Sequence, residues 1–167
     1  MRRTGTFLNI ALPLVIADWI TKRLAVSGLQ PPHTPHEVFG DVVRLTLTFN
    51  RDAAMGLSLG PWSRWGFAAV AMVAAIVLLV VLRRSAGKSR WYPIALGLVC
   101  GGAIGNLIDR VRWPHGVVDF IDIGVGAYRF WTFNVADTGV TVGAALLALI
   151  LWREGKEAAP GQESNPG

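Results

Sequence analysis

Four apolar runs decide what this chain can become. They cover about residues 7–26, 66–82, 91–109 and 133–152, and each is 17 to 20 residues long. About 20 helical residues cross the ~30 Å hydrocarbon core of a bilayer. Inside that core each backbone N–H and C=O needs a partner within its own segment, which makes helices the expected form. Composition agrees: 52% of the 167 residues are hydrophobic and 16% are charged, against roughly 25% charged in soluble domains. The expected fold is mainly α, a four-helix transmembrane protein, with one integral membrane domain over residues 1–152 and a disordered cytoplasmic tail over 153–167. That tail is rich in Gly, Pro, Glu and Ser, which bury too little apolar surface to order it.

Basic residues set the direction of the spans. Arg2 and Arg3 precede the first, Arg83, Arg84, Lys88 and Arg90 crowd the loop between the second and third, and Arg153 and Lys156 follow the fourth. The opposite loops hold sparser charge, at Arg44, Arg51, Arg64, Arg110, Arg112 and Arg129. By the positive-inside rule both termini are cytoplasmic, and loops 27–65 and 110–132 face outward. The net charge of +5 thus reports orientation, and no nucleic-acid partner is expected. Arg2-Arg3 and the apolar stretch after them have the outline of a cleavable signal peptide. Asp18, Lys22 and Arg23 put charge where a cleavage site would be neutral, so span one is expected to be retained. The outer loops contain β-branched stretches at 42–49, 116–123 and 128–132, which predict a small β-rich cap on the outer face.

Polar residues inside the spans carry the functional reading. An ionisable side chain at the centre of a membrane helix costs roughly 2.5–3.5 kcal/mol on insertion scales, so it marks a site by default. Asp137 begins the fourth span, with Asn134 three residues before it on the same helix face. Asp18 and Lys22, four apart, share a face of the first span. They are either an ion pair bracing a polar site or a snorkelling lysine with its counter-ion. Asn106, Asp109 and Arg110 close the third span, with Asn106 beside both others. Asp119 lies in the loop between the third and fourth spans, where chain reversal keeps it near Asp137. Asp109 and Asp122 are alternative partners for Asp137, and spacing does not choose among them. Gly97, Gly101 and Gly105 form a small-residue stripe for close helix packing. Cys100 sits among them as a small filler. His33, His36 and His115 are all in loops, so neither a Cys–His pair nor a metal site is expected.

The motifs together resemble those of lipoprotein signal peptidase (signal peptidase II), a family of bacterial aspartyl proteases with four spans. They are Asp18-Trp19-Ile20-Thr21-Lys22, the segment from Gly101 to Arg110, Gly116-Val117-Val118-Asp119-Phe120, and Phe133-Asn134-Val135-Ala136-Asp137. The resemblance covers all but the tail. It implies Asp119 and Asp137 as the catalytic pair, with Asn50, Asn106, Arg110 and Asn134 as supporting polar positions. Asp18, Lys22 and Asp109 complete the expected supporting set. One segment departs from the family: Asn50-Arg51-Asp52-Ala53-Ala54-Met55 has Asp52 where a glycine is usual and Met55 where a phenylalanine is usual. Asp52 is expected to raise the apparent pKa values of the pair.

The implied reaction is hydrolysis of the peptide bond just before a diacylglyceryl-modified cysteine, releasing the signal peptide from a prolipoprotein. Two close carboxyls would share one proton, one activating water and the other polarising the carbonyl. Neither a metal, a cofactor nor a covalent intermediate is expected. The implied setting is the bacterial inner membrane, with membrane lipid as solvent, the site at the outer face and the chain acting as a monomer. The alternative is a small proton-coupled membrane transporter using Asp18, Lys22 and Asp137 as a relay. A purely structural scaffold fits the glycines but not the clustered Asn and Asp residues.

Overall fold

The computed structural model describes residues 2–51, 60–84 and 89–157. Four helices appear in order: α1 (Arg2–Gly28), α2 (Ser63–Arg84), α3 (Tyr92–Arg112) and α4 (Val135–Glu157). Between α1 and α2 run strands β1 (Pro35–Phe39) and β2 (Val43–Asn50), and between α3 and α4 run β3 (Val117–Val125) and β4 (Tyr128–Arg129). The mainly α architecture with a small β cap is the one expected. By length and composition α1, α3 and α4 are long and apolar enough to cross a membrane, and α2 contributes the apolar stretch Trp65–Leu78. Their outer surfaces stay apolar, with Leu12, Ile16, Val70, Val73, Ile76 and Leu151 all exposed. In water that surface would be a liability, and in lipid it is the natural boundary of the fold.

α3 is the central helix and packs on the other three. The glycine stripe explains how. Gly97 lies against Phe7 and Ile10 of α1, and Gly101 against Ala11 and Leu14, each so close that an added Cβ would meet its neighbour at 3.0 Å and force a small shift. Gly105 faces Asp18 and Ala136. The tightest approach along α3 belongs to Gly102, outside the stripe, where a methyl group would run into the Ala136 carbonyl oxygen of α4. Close backbone approach is how helices associate in lipid, where no hydrophobic force drives them together.

The helix ends differ from the sequence reading in two places. Phe133 and Asn134 precede α4 instead of opening it. At the other end α4 continues to Glu157, so residues 153–157 are helical where a disordered tail was expected. Lys156 lies over the Trp152 ring at 4.1 Å, and Glu154 accepts a 2.8 Å hydrogen bond from the Tyr92 hydroxyl of α3. These contacts, with a cation at a helix C-terminus, outweigh the composition. Residues 158–167 lie outside the described residues, as do Asp52, Ala53, Ala54 and Met55.

The cap is an antiparallel sheet in the order β1-β2-β3-β4. Leu47, Val118 and Phe120 bury one face against Ala25 near the end of α1. Asn50 pairs with Val117 and Thr48 with Asp119, but the register slips between Leu45 and Thr48. Thr46 and Leu47 of β2 therefore face Phe120 alone. Such a bulge bends and twists a strand. Asp119 and Asp122, three apart in β3, both line the same cavity, although a flat strand would turn them to opposite faces. At the start of β3, Gly116 has φ of 93° and lies so close to the Asn50 carbonyl that a Cβ would not fit. That approach brings Asn50 beside Asp119.

Candidate active site

The first turn of α4 shows why its sequence reads as it does. Asn134 caps the helix: its Oδ1 accepts the Asp137 N–H at 2.9 Å, and Asp137 Oδ2 accepts the Asn134 N–H at 3.2 Å. This is a reciprocal capping box with Asp at the third helical position. The sequence places the two residues on one helix face, and the structure corrects that by putting Asn134 just before the helix as its cap. Asp18 completes the cap from α1, its Oδ1 accepting the Ala136 N–H at 2.8 Å. Three N-terminal donors of α4 thus end on side-chain or reciprocal partners, and Asp137 is held in one orientation.

Amide side chains then connect the two carboxyls. Asn134 Nδ2 donates to Asp119 Oδ1 at 2.7 Å and also contacts Asn106 Oδ1 and the Val118 carbonyl, each at 3.2 Å. Asn50 Nδ2 donates to Asp119 Oδ2 at 3.3 Å. Asn106 Nδ2 donates to Asp137 Oδ1 at 2.7 Å. Asn134 therefore touches both Asp119 and Asp137. The two carboxylates lie on the wall of one open cavity of about 1280 Å³, together with Asn50, Asn106, Arg110 and Thr138. Arg110 donates to the Asn106 carbonyl at 3.3 Å and adds positive charge near Asp137, Asp119 and Asp109. Burial, and then the neighbouring Asp137 charge, push the Asp119 carboxyl up to about 7.

Lys22 explains the orientation of Asn106. It is buried, with its Nζ 2.8 Å from Asp18 Oδ2, 2.9 Å from Asp109 Oδ2 and 2.9 Å from Asn106 Oδ1. Holding the amide oxygen turns the NH₂ group toward Asp137. The snorkelling alternative for Lys22 fails because the ammonium points inward. Asp109 is not the partner of Asp137 and stands behind the cavity wall with Lys22. It accepts the Val118 N–H at 3.1 Å and faces Lys22, and it does not line the cavity that Asn106 and Arg110 share. Asp122 is not the partner of Asp137 either. Arg129 holds it at 2.9 Å and Thr46 donates to it at 3.1 Å. The sequence reading counted Arg129 only as an outer charge and passed over Thr46. Neither had a signal at fixed spacing, since β pairing and a hairpin bring them there. Among the described residues no group of three or more His, Cys, Asp or Glu could hold a metal ion.

The relay required of a transporter stops at Asp18. Deeper in the bundle the buried cluster is Phe7, Ala11, Ala95, Leu96, Cys100 and Ile150, with Tyr92. The polar groups of this cluster are the Cys100 thiol and the Tyr92 hydroxyl, the latter bonded to Glu154, and among the described residues no buried carboxylate, lysine or histidine links them to Asp18.

A carboxyl pair at one end of a membrane helix bundle, each member held by amides, fits the class of aspartic peptidase built into a membrane. Sequence comparison then gives the family. A family model described as signal peptidase (SPase) II matches residues 10–153. The lipoprotein signal peptidase of Burkholderia thailandensis is 40% identical over 143 residues, 84% of each chain. That of Paraburkholderia phymatum is 38% identical over 143 residues, again 84% of each. A bacterial membrane enzyme solved by the in meso method at 2.3 Å superimposes with a TM-score of 0.82 at 29% identity, covering 96% of this chain and 95% of that one. The chain belongs to the signal peptidase II family and is a multi-pass bacterial membrane aspartic peptidase.

Proposed function

We propose that Asp119 and Asp137 are the acid and base of an amide hydrolysis that frees prolipoproteins of their signal peptides, cutting just before a diacylglyceryl-modified cysteine. The observation that carries this reading is the amide bridge. Asn134 binds both carboxyls, and Asn106 and Asn50 fix their remaining oxygens, so the pair faces one cavity at the helix ends. Both carboxyls receive two N–H donors and lie near Arg110, so burial decides between them, and the less buried Asp137 is assigned the charge of the base. Asp119, buried beside that charge, suits the protonated acid. Asp137 takes a proton from water as the oxygen attacks, while Asp119 donates to the carbonyl oxygen. The proton on Asp137 then passes to the leaving amine as the C–N bond breaks, and Asp119 recovers its own. The cavity wall carries both polar groups and the apolar Phe130, Phe133 and Val142, which suits a peptide bond close to acyl chains. We place this end of the bundle at the outer face of the inner membrane, with both termini cytoplasmic. The enzyme acts there as a monomer in lipid.

The test is incubation of the purified enzyme with lipidated and unlipidated forms of one preprolipoprotein. Cleavage of the lipidated form alone is expected. Equal cleavage of both would remove the lipid from substrate recognition, and cleavage of neither would remove the peptidase reading.

A pH profile follows from Asp119. Its value of about 7 lies above the 3.8 of an ordinary aspartate, so the proton needed by the acid is lost as pH rises through 7. kcat/KM should fall about tenfold per pH unit beyond pH ~8. By the same sign, the native state binds more protons than the unfolded chain between these two values, so stability declines as pH rises across that window. A flat rate profile from pH ~6 to ~9 would show that Asp119 is not the acid.

A further inference from the structure

On another side of the helix bundle lies a small cleft, walled by tryptophan and valine and flanked by charged side chains, that the reaction does not use. Trp19, Lys22, Arg23 and Val26 recur at helical spacing along α1 and oppose Asp109, Arg112 and Trp113 at the end of α3. None of these residues lines the large cavity. The cleft holds about 10 Å³, the space of roughly one water molecule. Arg23 lies over the Trp19 ring and Arg112 over the Trp113 ring, each 5.6 Å from the centroid. A guanidinium placed on an indole keeps N–H groups for a second partner. Both arginines are exposed, and among the described residues no carboxylate pairs with either. This end of the bundle carries few basic residues, as the orientation rule requires. Arg44 and Arg129 there are matched by Asp41 and Asp122, and Arg110 faces the carboxyl pair. Arg23 and Arg112 instead flank an opening where tryptophans mark headgroup depth.

We propose that the α1–α3 cleft binds the phosphodiester of an anionic phospholipid, gripped by Arg23 and Arg112, with one phosphate oxygen entering the opening. Guanidinium and phosphate are matched in shape and charge. The exposed Ile16 and Ile20 on α1 take the acyl chains. Lys22 and Asp109 line the cleft, and Lys22 also holds Asn106, so an occupied site braces the rear of the active centre.

The test uses full-length enzyme in nanodiscs of mixed phosphatidylglycerol and phosphatidylcholine, with retained lipid identified by native mass spectrometry after transfer to detergent. The wild type should retain phosphatidylglycerol in preference to phosphatidylcholine. The Arg23→Gln/Arg112→Gln variant should weaken that preference about thirtyfold, at roughly fivefold for each arginine near an anionic surface. The Arg153→Gln/Lys156→Gln variant, altered at the opposite end of α4, should match the wild type. Millimolar inorganic phosphate should leave the lipid bound. No preference in the wild type, equal retention by the Arg23/Arg112 variant, or equal loss by the Arg153/Lys156 variant would overturn the site. Displacement by phosphate would make the ligand a free anion and overturn the lipid. Cleavage is not the readout, so the result is independent of the roles of Asp119 and Asp137.

Discussion

Asp119→Asn and Asp137→Asn should each reduce turnover of a lipidated preprolipoprotein by about 10³-fold or more. General acid–base catalysis contributes about 10²–10⁴ per group, and here each variant removes a partner that the other carboxyl needs. The double variant should be little worse than either single one, because groups acting as a unit lose their effect together. Folding should survive. Asp119 is buried with its carboxyl pushed up to about 7, so a neutral amide in its place relieves desolvation. Asp137→Asn keeps one carbonyl oxygen for the cap of α4 and should cost only about 1 kcal/mol, the net worth of one hydrogen bond. Rates from single-turnover assays, with melting curves in detergent, separate the two effects. Residual activity within tenfold of wild type in either variant would rule out the pair as acid and base. Losses that multiply in the double variant would show two independent roles.

Lys22→Met should give the largest loss of stability. Its ammonium lies between Asp18 and Asp109, all three buried. Removing one member of such a network leaves uncompensated buried charge, at a cost of about 3–5 kcal/mol. Activity should fall as well, because Asn106 loses the donor that fixes its amide and Asp137 then loses an oriented N–H. Lys22→Arg should not rescue, since a planar fork does not fit a site built around a point charge. Adding Asp18→Asn to Lys22→Met should recover part of the stability: it removes one orphaned charge and retains an oxygen for the Ala136 N–H. Thermal unfolding of the set is the measurement. A Lys22→Met protein that melts like the wild type would show that the ion network does not hold the bundle together.

The parts of the site that repeat at helical spacing were visible in the chain. Asp18 with Lys22 and Asn106 with Arg110 each share a helix face, Asn134 meets Asp137 as the cap that precedes α4, and all three pairs meet at the spacing read from the chain. The glycine stripe likewise announced close packing of α3. Gly102 escaped notice because it lies outside the every-fourth pattern, and only the path of α4 shows what it faces. The partner of Asp109 was hidden for a related reason. A three-residue step on a helix allows contact with Asn106, but the neighbour that claims the carboxylate comes from α1. The helical start of the tail was hidden because it rests on a Tyr92–Glu154 contact between residues far apart in the chain.

The amino-acid sequence by itself determined the membrane class and the residues rich enough in chemistry to matter, and its flanking charges give the direction proposed for the spans. These depend on local length, periodicity and charge asymmetry, which tertiary context does not alter. Only the tertiary structure decided that Asn134 bridges Asp119 and Asp137, that Lys22 orients Asn106 from behind, and that Asp122 is held by Arg129. Those contacts link α1, α3, α4 and the cap sheet across long stretches of chain. A bulged strand and a set of side-chain amides with few donors to share among several acceptors settle them, and neither leaves a fixed spacing in the sequence.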